Sequence, residues 1–304
     1  WYPTVLTFGA VSFAYIGLNG ASDAVLASDK IFTLVTVLAI YWAATFIAMK
    51  GIGWVGKISK WGGLIGTIIP AGLLIVLGII YIATGGHNYM DMSQSFIPDL
   101  TKFDNLVLAS SIFLFYAGME MMGVHVMDVN NPSRNYPKAI IIGSLATVCI
   151  FVLGTFALGV IIPAKDINLT QSLLIGFDNF FKYFHIPWAG PVIAVALMLG
   201  VLASVLTWVA GPSKGIFTVG KAGYLPPFFQ KSNSHGVQRN ILLVQGGIVT
   251  LLSLLFVVMP SVQSFYQILS QLTILLYLIM YMLMFAAAIT LRYKMKTAQR
   301  PFRL

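Results

Sequence analysis

The sequence predicts an all-α, polytopic transmembrane helix bundle, and three observations predict it. Hydrophobic residues make up 58% of the 304 positions and charged residues only 9%, whereas a soluble domain carries roughly 25% charged residues. The charges are clustered, leaving apolar runs about as long as the roughly 20 residues that a bilayer core of about 30 Å demands. The clusters also alternate in character along the chain, as loops on opposite sides of a membrane do.

Eight spans are expected, over 1–17, 31–49, 62–84, 105–127, 138–162, 189–210, 241–260 and 265–291. Each is apolar all round rather than along one stripe, which suits lipid or the inside of a bundle. A closed barrel is the other spanning solution, but these runs are too long for barrel strands and do not alternate. Residues 1–304 read as one transmembrane domain. The chain starts at Trp1 inside an apolar run and ends at Leu304 just after a basic cluster, which reads as a stretch of a longer protein.

The charge sorting gives an orientation. Segments 50–61, 128–138, 211–240 and 292–304 hold 14 of the 18 basic residues and a single acid, Asp128. Segments 18–30, 85–104, 163–188 and 261–264 hold Lys30, Lys102, Lys165 and Lys182 with seven acids. The first set is expected in the cytoplasm, and a bacterial plasma membrane is the expected setting. Topology thereby accounts for the net charge of +9 without a nucleic-acid partner. Cys149 is the one cysteine, so no internal disulfide forms, and His87, His125, His185 and His235 are far apart in sequence, so no metal or cofactor is expected.

Eight of the nine acids fall in loops; the ninth, Glu120, is the sole glutamate and lies near the middle of an apolar run. A carboxylate at mid-bilayer costs about 3 kcal/mol on insertion scales, so it should face a polar cavity or be protonated there. Gly118 and Gly123 flank it and weaken the helix, so a broken span is expected at Ala117, Gly118, Met119 and Glu120. Freed backbone N–H groups there can hold a substrate carboxylate. A packing carboxylate paired to a neighbouring helix is the plainer alternative. His125 can titrate near neutrality, or serve as an ordinary hydrogen-bonder at a helix end. Asn131-Pro132 and Pro137 are expected to stop the helix and impose turns.

Gly118-Met119-Glu120 followed by Asn131-Pro132-Ser133-Arg134-Asn135-Tyr136-Pro137 resembles the sixth helix of the amino acid–polyamine–organocation superfamily and its cytoplasmic exit. With His125-Val126 between them, the stretch is similar to the branch containing bacterial glutamate/γ-aminobutyrate antiporters. Leu199 to Gly215, with Gly223-Tyr224-Leu225-Pro226-Pro227 beyond it, resembles the eighth helix and the following loop, and Tyr277 and Tyr281 resemble the paired tyrosines of the tenth. The resemblance implies a LeuT-like transporter fold of inverted five-helix repeats, of which this chain is helices three to ten of twelve. At one position the chain departs from the pattern: Ser204 stands where the glutamate/γ-aminobutyrate exchanger carries a Glu, one turn before a retained Trp208. Losing a second intramembrane carboxylate changes the charge of the pocket.

Ser204 and Trp208 are four apart and share a helix face, as do Tyr277 and Tyr281. On residue chemistry alone these are pocket walls or buried packing aromatics and interhelical hydrogen-bonders; the resemblance implies substrate-binding or gating positions. Gly62, Gly63, Gly66 and Pro70 are expected to serve close packing or a hinge rather than a ligand. The expected activity is alternating-access transport of a small amino-acid substrate across the lipid bilayer. Exchange for a decarboxylated product is the specific form, with proton coupling possible in it. Proton-coupled symport, a general permease and an amino-acid sensor on the same fold are the alternatives. A channel lacks its rings of charge or carbonyls, and an enzyme lacks a nucleophile–base pair or metal set.

Overall fold

A computed structural model describes residues 1–17, 23–90 and 98–295; a few side chains within the helices, those of Asp104, His125 and Asp128 among them, lie outside the described set. The candidate roles of His125 and of Asp91 in the charge sorting therefore fall outside what is described. Among the described residues twelve α-helices run as α1 (Tyr2–Ala14), α2 (Asp23–Ser28), α3 (Lys30–Ala48), α4 (Ile52–Gly63), α5 (Ile69–Ala83), α6 (Phe103–Tyr116), α7 (Pro132–Ile161), α8 (Ser172–Tyr183), α9 (Ala189–Val219), α10 (Arg239–Ser253), α11 (Leu255–Val258) and α12 (Val262–Lys294). No strand occurs among the described residues. Six helical stretches among those residues are long and apolar enough to cross a membrane: 30–48, 52–83, 132–161, 189–224, 239–258 and 262–294.

The helix α9 is the axis of the assembly. It touches α1, α3, α4, α5, α8 and α10, and the turn that follows α6. Small residues allow this. A Cβ at Gly62 on α4 would stand 2.5 Å from the Ala203 Cβ, and one at Gly66, just beyond the end of α4, would land on the backbone nitrogen of Gly200. Gly63, beside them, faces open space. Ser59 and Thr207 share a 2.7 Å hydroxyl bond across the same seam. Gly62 and Gly66 are thus close-packing glycines, as expected of small residues between membrane helices.

Several predicted boundaries move. The segment 50–61, expected to be loop, is helical from Ile52, and α4 joins α5 through a π-helical turn at Leu64–Ile68. Pro70 has no N–H to give, and the wider turn just before it relieves the lost hydrogen bond without breaking the span. Pro137 does not stop the helix either: α7 begins at Pro132, at the first helical position where a missing N–H costs nothing, and continues through Pro137. The segment 211–240 begins as helix, because α9 runs to Val219 and a π turn carries it to Tyr224. The segment 163–188 contains α8, which buries Phe177, Phe180 and Phe181 against α5 and α7 residues such as Tyr81 and Val160. The first span shortens to α1, and the 241–260 span pauses at Leu254.

Outside the spans, Asp99 organises the entry to α6. Its Oδ1 accepts from the Thr101 N–H and hydroxyl at 3.1 and 2.6 Å, which holds its carboxyl below the usual range. Large apolar side chains on α7 and α12, Ile142, Leu145, Met282 and Leu283 among them, stand exposed, as lipid-facing residues do.

Candidate functional site at the broken span

The predicted span over 105–127 is broken where Glu120 and its glycine suggested. The helix α6 ends at Tyr116; Ala117 is extended (φ −73°, ψ 151°) and Gly118 takes a left-handed conformation (φ 114°, ψ −10°). A 3-10 turn then runs from Met119 to Asp128. Only glycine enters such a φ cheaply, and Gly118 is required sterically as well, since a Cβ there would stand 2.8 Å from Cζ2 of Trp208.

The carboxylate of Glu120 folds back over the break. Its Oε2 accepts the Gly118 N–H at 3.0 Å and the Tyr281 hydroxyl at 2.8 Å. The Gly118 N–H also lies 3.2 Å from the Tyr281 oxygen. Glu120 Oε1 is buried and, among the described residues, has no hydrogen-bond partner. No basic side chain among those residues pairs with it either. A buried carboxylate oxygen left bare is costly, roughly 1–3 kcal/mol or more for a charged group, so the site is built with one acceptor to spare.

Aromatic side chains cluster at the break beside this carboxylate. Trp208 lies over Gly118, Tyr277 stands edge-on to it with ring centroids 6.3 Å apart, and Tyr281 lies 5.8 Å beyond Tyr277 on the same face of α12. Trp1 packs against Trp208 with the ring planes tilted by 32° and the centroids 4.5 Å apart. Behind this layer Gln245 donates to the Tyr2 hydroxyl at 2.5 Å, which donates in turn to the Trp208 carbonyl at 2.7 Å. That chain fixes the part of α9 that carries the indole. Trp1, Tyr2 and Gln245 were not among the sequence candidates; an amide in the apolar run Ile241–Ser253 was the signal for Gln245.

A mostly apolar cavity of about 420 Å³ adjoins these rings, lined by Trp1, Tyr2, Trp208, Gln245, Tyr277 and Phe229, the last in the segment after α9. Trp208 and Tyr277 stand at the boundary of this cavity, while Glu120, Gly118 and Tyr281 lie outside its lining. The structure thus brings Gly118, Glu120, Trp208, Tyr277 and Tyr281 together. Ala117 contributes backbone to the break. The Met119 side chain turns toward α7, where its sulfur accepts from the Ser144 hydroxyl at 3.4 Å. Ser204, half-buried one turn before Trp208, makes no hydrogen bond among the described residues. Those residues contain no cluster of potential metal ligands.

A family model described as "Amino acid permease" matches residues 1–304. An uncharacterised transporter of Legionella pneumophila is 35% identical over 96% of this chain and 62% of its own length. A glutamate/γ-aminobutyrate antiporter of Lactococcus lactis is 32% identical over 99% of this chain and 61% of its own. A probable agmatine/putrescine antiporter of the same species is 25% identical over 93% and 63%. The chain spans about three fifths of the length of these relatives. The six helical stretches among the described residues that are long and apolar enough to cross a membrane, with this family match, make it a multi-pass integral protein of the bacterial plasma membrane. The match over the whole chain makes it a member of the amino acid permease family, within the amino acid–polyamine–organocation superfamily.

Proposed function

We propose that this chain carries part of the substrate site of an alternating-access amino-acid transporter that exchanges an amino acid for a related amine. The observation that carries the reading is Glu120: a carboxylate at the break of an expected span, with Oε2 accepting two hydrogen bonds and Oε1 buried and, among the described residues, bare. A substrate ammonium group supplies the missing partner and cancels the charge at depth, where an isolated charge is expensive. The Gly118 N–H is already held by Glu120 and Tyr281. The break therefore suits an amine better than it suits a substrate carboxylate at that N–H. An amino acid and its decarboxylated product share the amine, so one recognition group serves both halves of an exchange. The relatives named for glutamate with γ-aminobutyrate, and for agmatine with putrescine, support exchange between amine-bearing substrates.

The test is counterflow into liposomes by the full-length protein, with a panel of amino acids and amines, for the parent and for Glu120→Gln. Loss of exchange in the variant supports the reading. Exchange that is unchanged at several pH values removes Glu120 from it, and uptake driven by a pH gradient with nothing loaded inside selects symport instead.

A further inference from the structure

The helical stretch Ile52–Ala83 is 32 residues long, about 48 Å at 1.5 Å per residue, against a hydrocarbon core of about 30 Å. The excess is α4, and α4 has two unlike faces. Val55, Ser59, Gly62 and Gly66 turn toward α9. The opposite face carries Trp54, Lys57 and Trp61, spaced three and four apart, with the two indoles 56% and 58% exposed. An exposed pair of tryptophans on a helix of this kind has to be accounted for by what surrounds it.

Lysines bracket both indoles. The Lys50 ammonium reaches from the preceding turn to 5.8 Å from the Trp54 ring, and Lys60 lies 5.6 Å from the Trp61 ring. Among the described residues none of Lys50, Lys57 and Lys60 has a carboxylate within ion-pair distance. One turn further along, the same face becomes purely aliphatic, with Leu64, Ile65 and Ile68 exposed. The order from the helix start is cation and indole, then branched hydrocarbon. That is the complement of an amphiphile with an anionic head and acyl tails. Indoles settle at headgroup depth, and a lysine near an anionic surface gains about 1 kcal/mol.

We propose that the Trp54–Lys57–Trp61 face of α4, with Lys50 and Lys60, is a binding site for the phosphate headgroup of an anionic phospholipid, whose acyl chains lie along Leu64, Ile65 and Ile68. The occupant is lipid rather than free phosphate, because the cationic end is continuous with the aliphatic strip. The seat is on the helix that closes against α9, so the lipid binds the back of the element whose front packs on the helix carrying Trp208.

Tryptophan quenching tests this in the full-length protein reconstituted in phosphatidylcholine, with brominated phosphatidylglycerol or brominated phosphatidylcholine as the minor lipid. The signal from Trp54 and Trp61 is isolated by difference against a Trp54→Phe/Trp61→Phe protein. Brominated phosphatidylglycerol is expected to quench it more strongly. Each Lys→Gln change at 50, 57 and 60 should lower the preference roughly fivefold, while Lys→Arg changes retain it. Equal quenching by the two lipids, or a preference untouched by the Lys→Gln changes, overturns the site. Indoles that neither lipid quenches would mean that protein covers the face, which also overturns it. Relief of the quenching by excess inorganic phosphate would replace lipid with a soluble anion.

Discussion

Tyr281 on α12 donates its hydroxyl to Glu120 Oε2 at 2.8 Å, a bond that spans 161 residues of sequence and ties the last described helix to the broken one. A hydrogen bond to a charged group contributes about 1.5–3 kcal/mol. Tyr281→Phe should therefore weaken half-saturation for exchange roughly ten- to a hundredfold. Because both residues act on one carboxylate, Tyr281→Phe combined with Glu120→Gln should cost much less than the sum of the two. Thermal midpoints of the four purified proteins of the cycle measure this, and strict additivity would separate the tyrosine from the carboxylate.

Gly118→Ala should abolish exchange while leaving the protein in the membrane. An alanine at φ 114° pays a left-handed penalty of about 1–2 kcal/mol, and its Cβ would crowd the Trp208 ring at 2.8 Å. Trp208→Phe removes the crowding and not the backbone strain, so the double variant should recover only part of the activity. Full recovery would show that steric contact alone fixes this position.

Gly66→Ala and Gly63→Ala should act oppositely although only three residues apart. At Gly66 the new Cβ would meet the Gly200 backbone, which cannot move aside, whereas at Gly63 it meets nothing. The first should lower the thermal midpoint of the purified protein. The second should leave it unchanged or raise it, since alanine is favoured over glycine in a helix by about 0.5–1 kcal/mol. Equal midpoints for the two would contradict the α4–α9 seam.

Asp99 predicts a modest pH effect outside the membrane. Thr101 holds its folded-state pKa below the unfolded value of about 4. Its contribution to stability is complete above the unfolded value and is lost as pH falls through the lower, folded one. Thr101→Val, which removes the hydroxyl donor, should raise that pKa and shrink the acid-side loss. Thermal midpoints between neutral pH and about pH 3 test it, and identical acid limbs for parent and variant would refute it.

The broken span was legible in the sequence because a lone glutamate in an apolar run has few physically acceptable settings, and Gly118 beside it supplied the required backbone freedom. Trp208, Tyr277 and Tyr281 were placed by resemblance and fall around the same carboxylate, whereas the orientation of Met119 toward α7 could not be read, because a helix break resets which face each residue presents. The start of α4 was hidden by its composition. Gly51, Gly53, Gly56, Lys57 and Lys60 depress local hydropathy and helix propensity, and only packing against α9 makes that segment helical. Pro137 misled because α7 continues past it although it sits inside the helix, where its missing N–H leaves the Ser133 carbonyl without a helical donor.

The π turn at Leu64–Ile68 reaches further than the relief of Pro70. Val55, Ser59, Gly62, Gly66, Pro70, Leu74, Leu77 and Tyr81 cover 26 steps of sequence, whereas seven regular turns take about 25. The wide turn absorbs the surplus residue, so the inward stripes of α4 and α5 stay in phase, one seated on α9 and the other on α7 and α8. The span is a keyed shaft between two packing units, and its key is a single residue. Deleting one residue from this turn would swing one stripe by about 100° relative to the other, a defect that no side-chain substitution could repair.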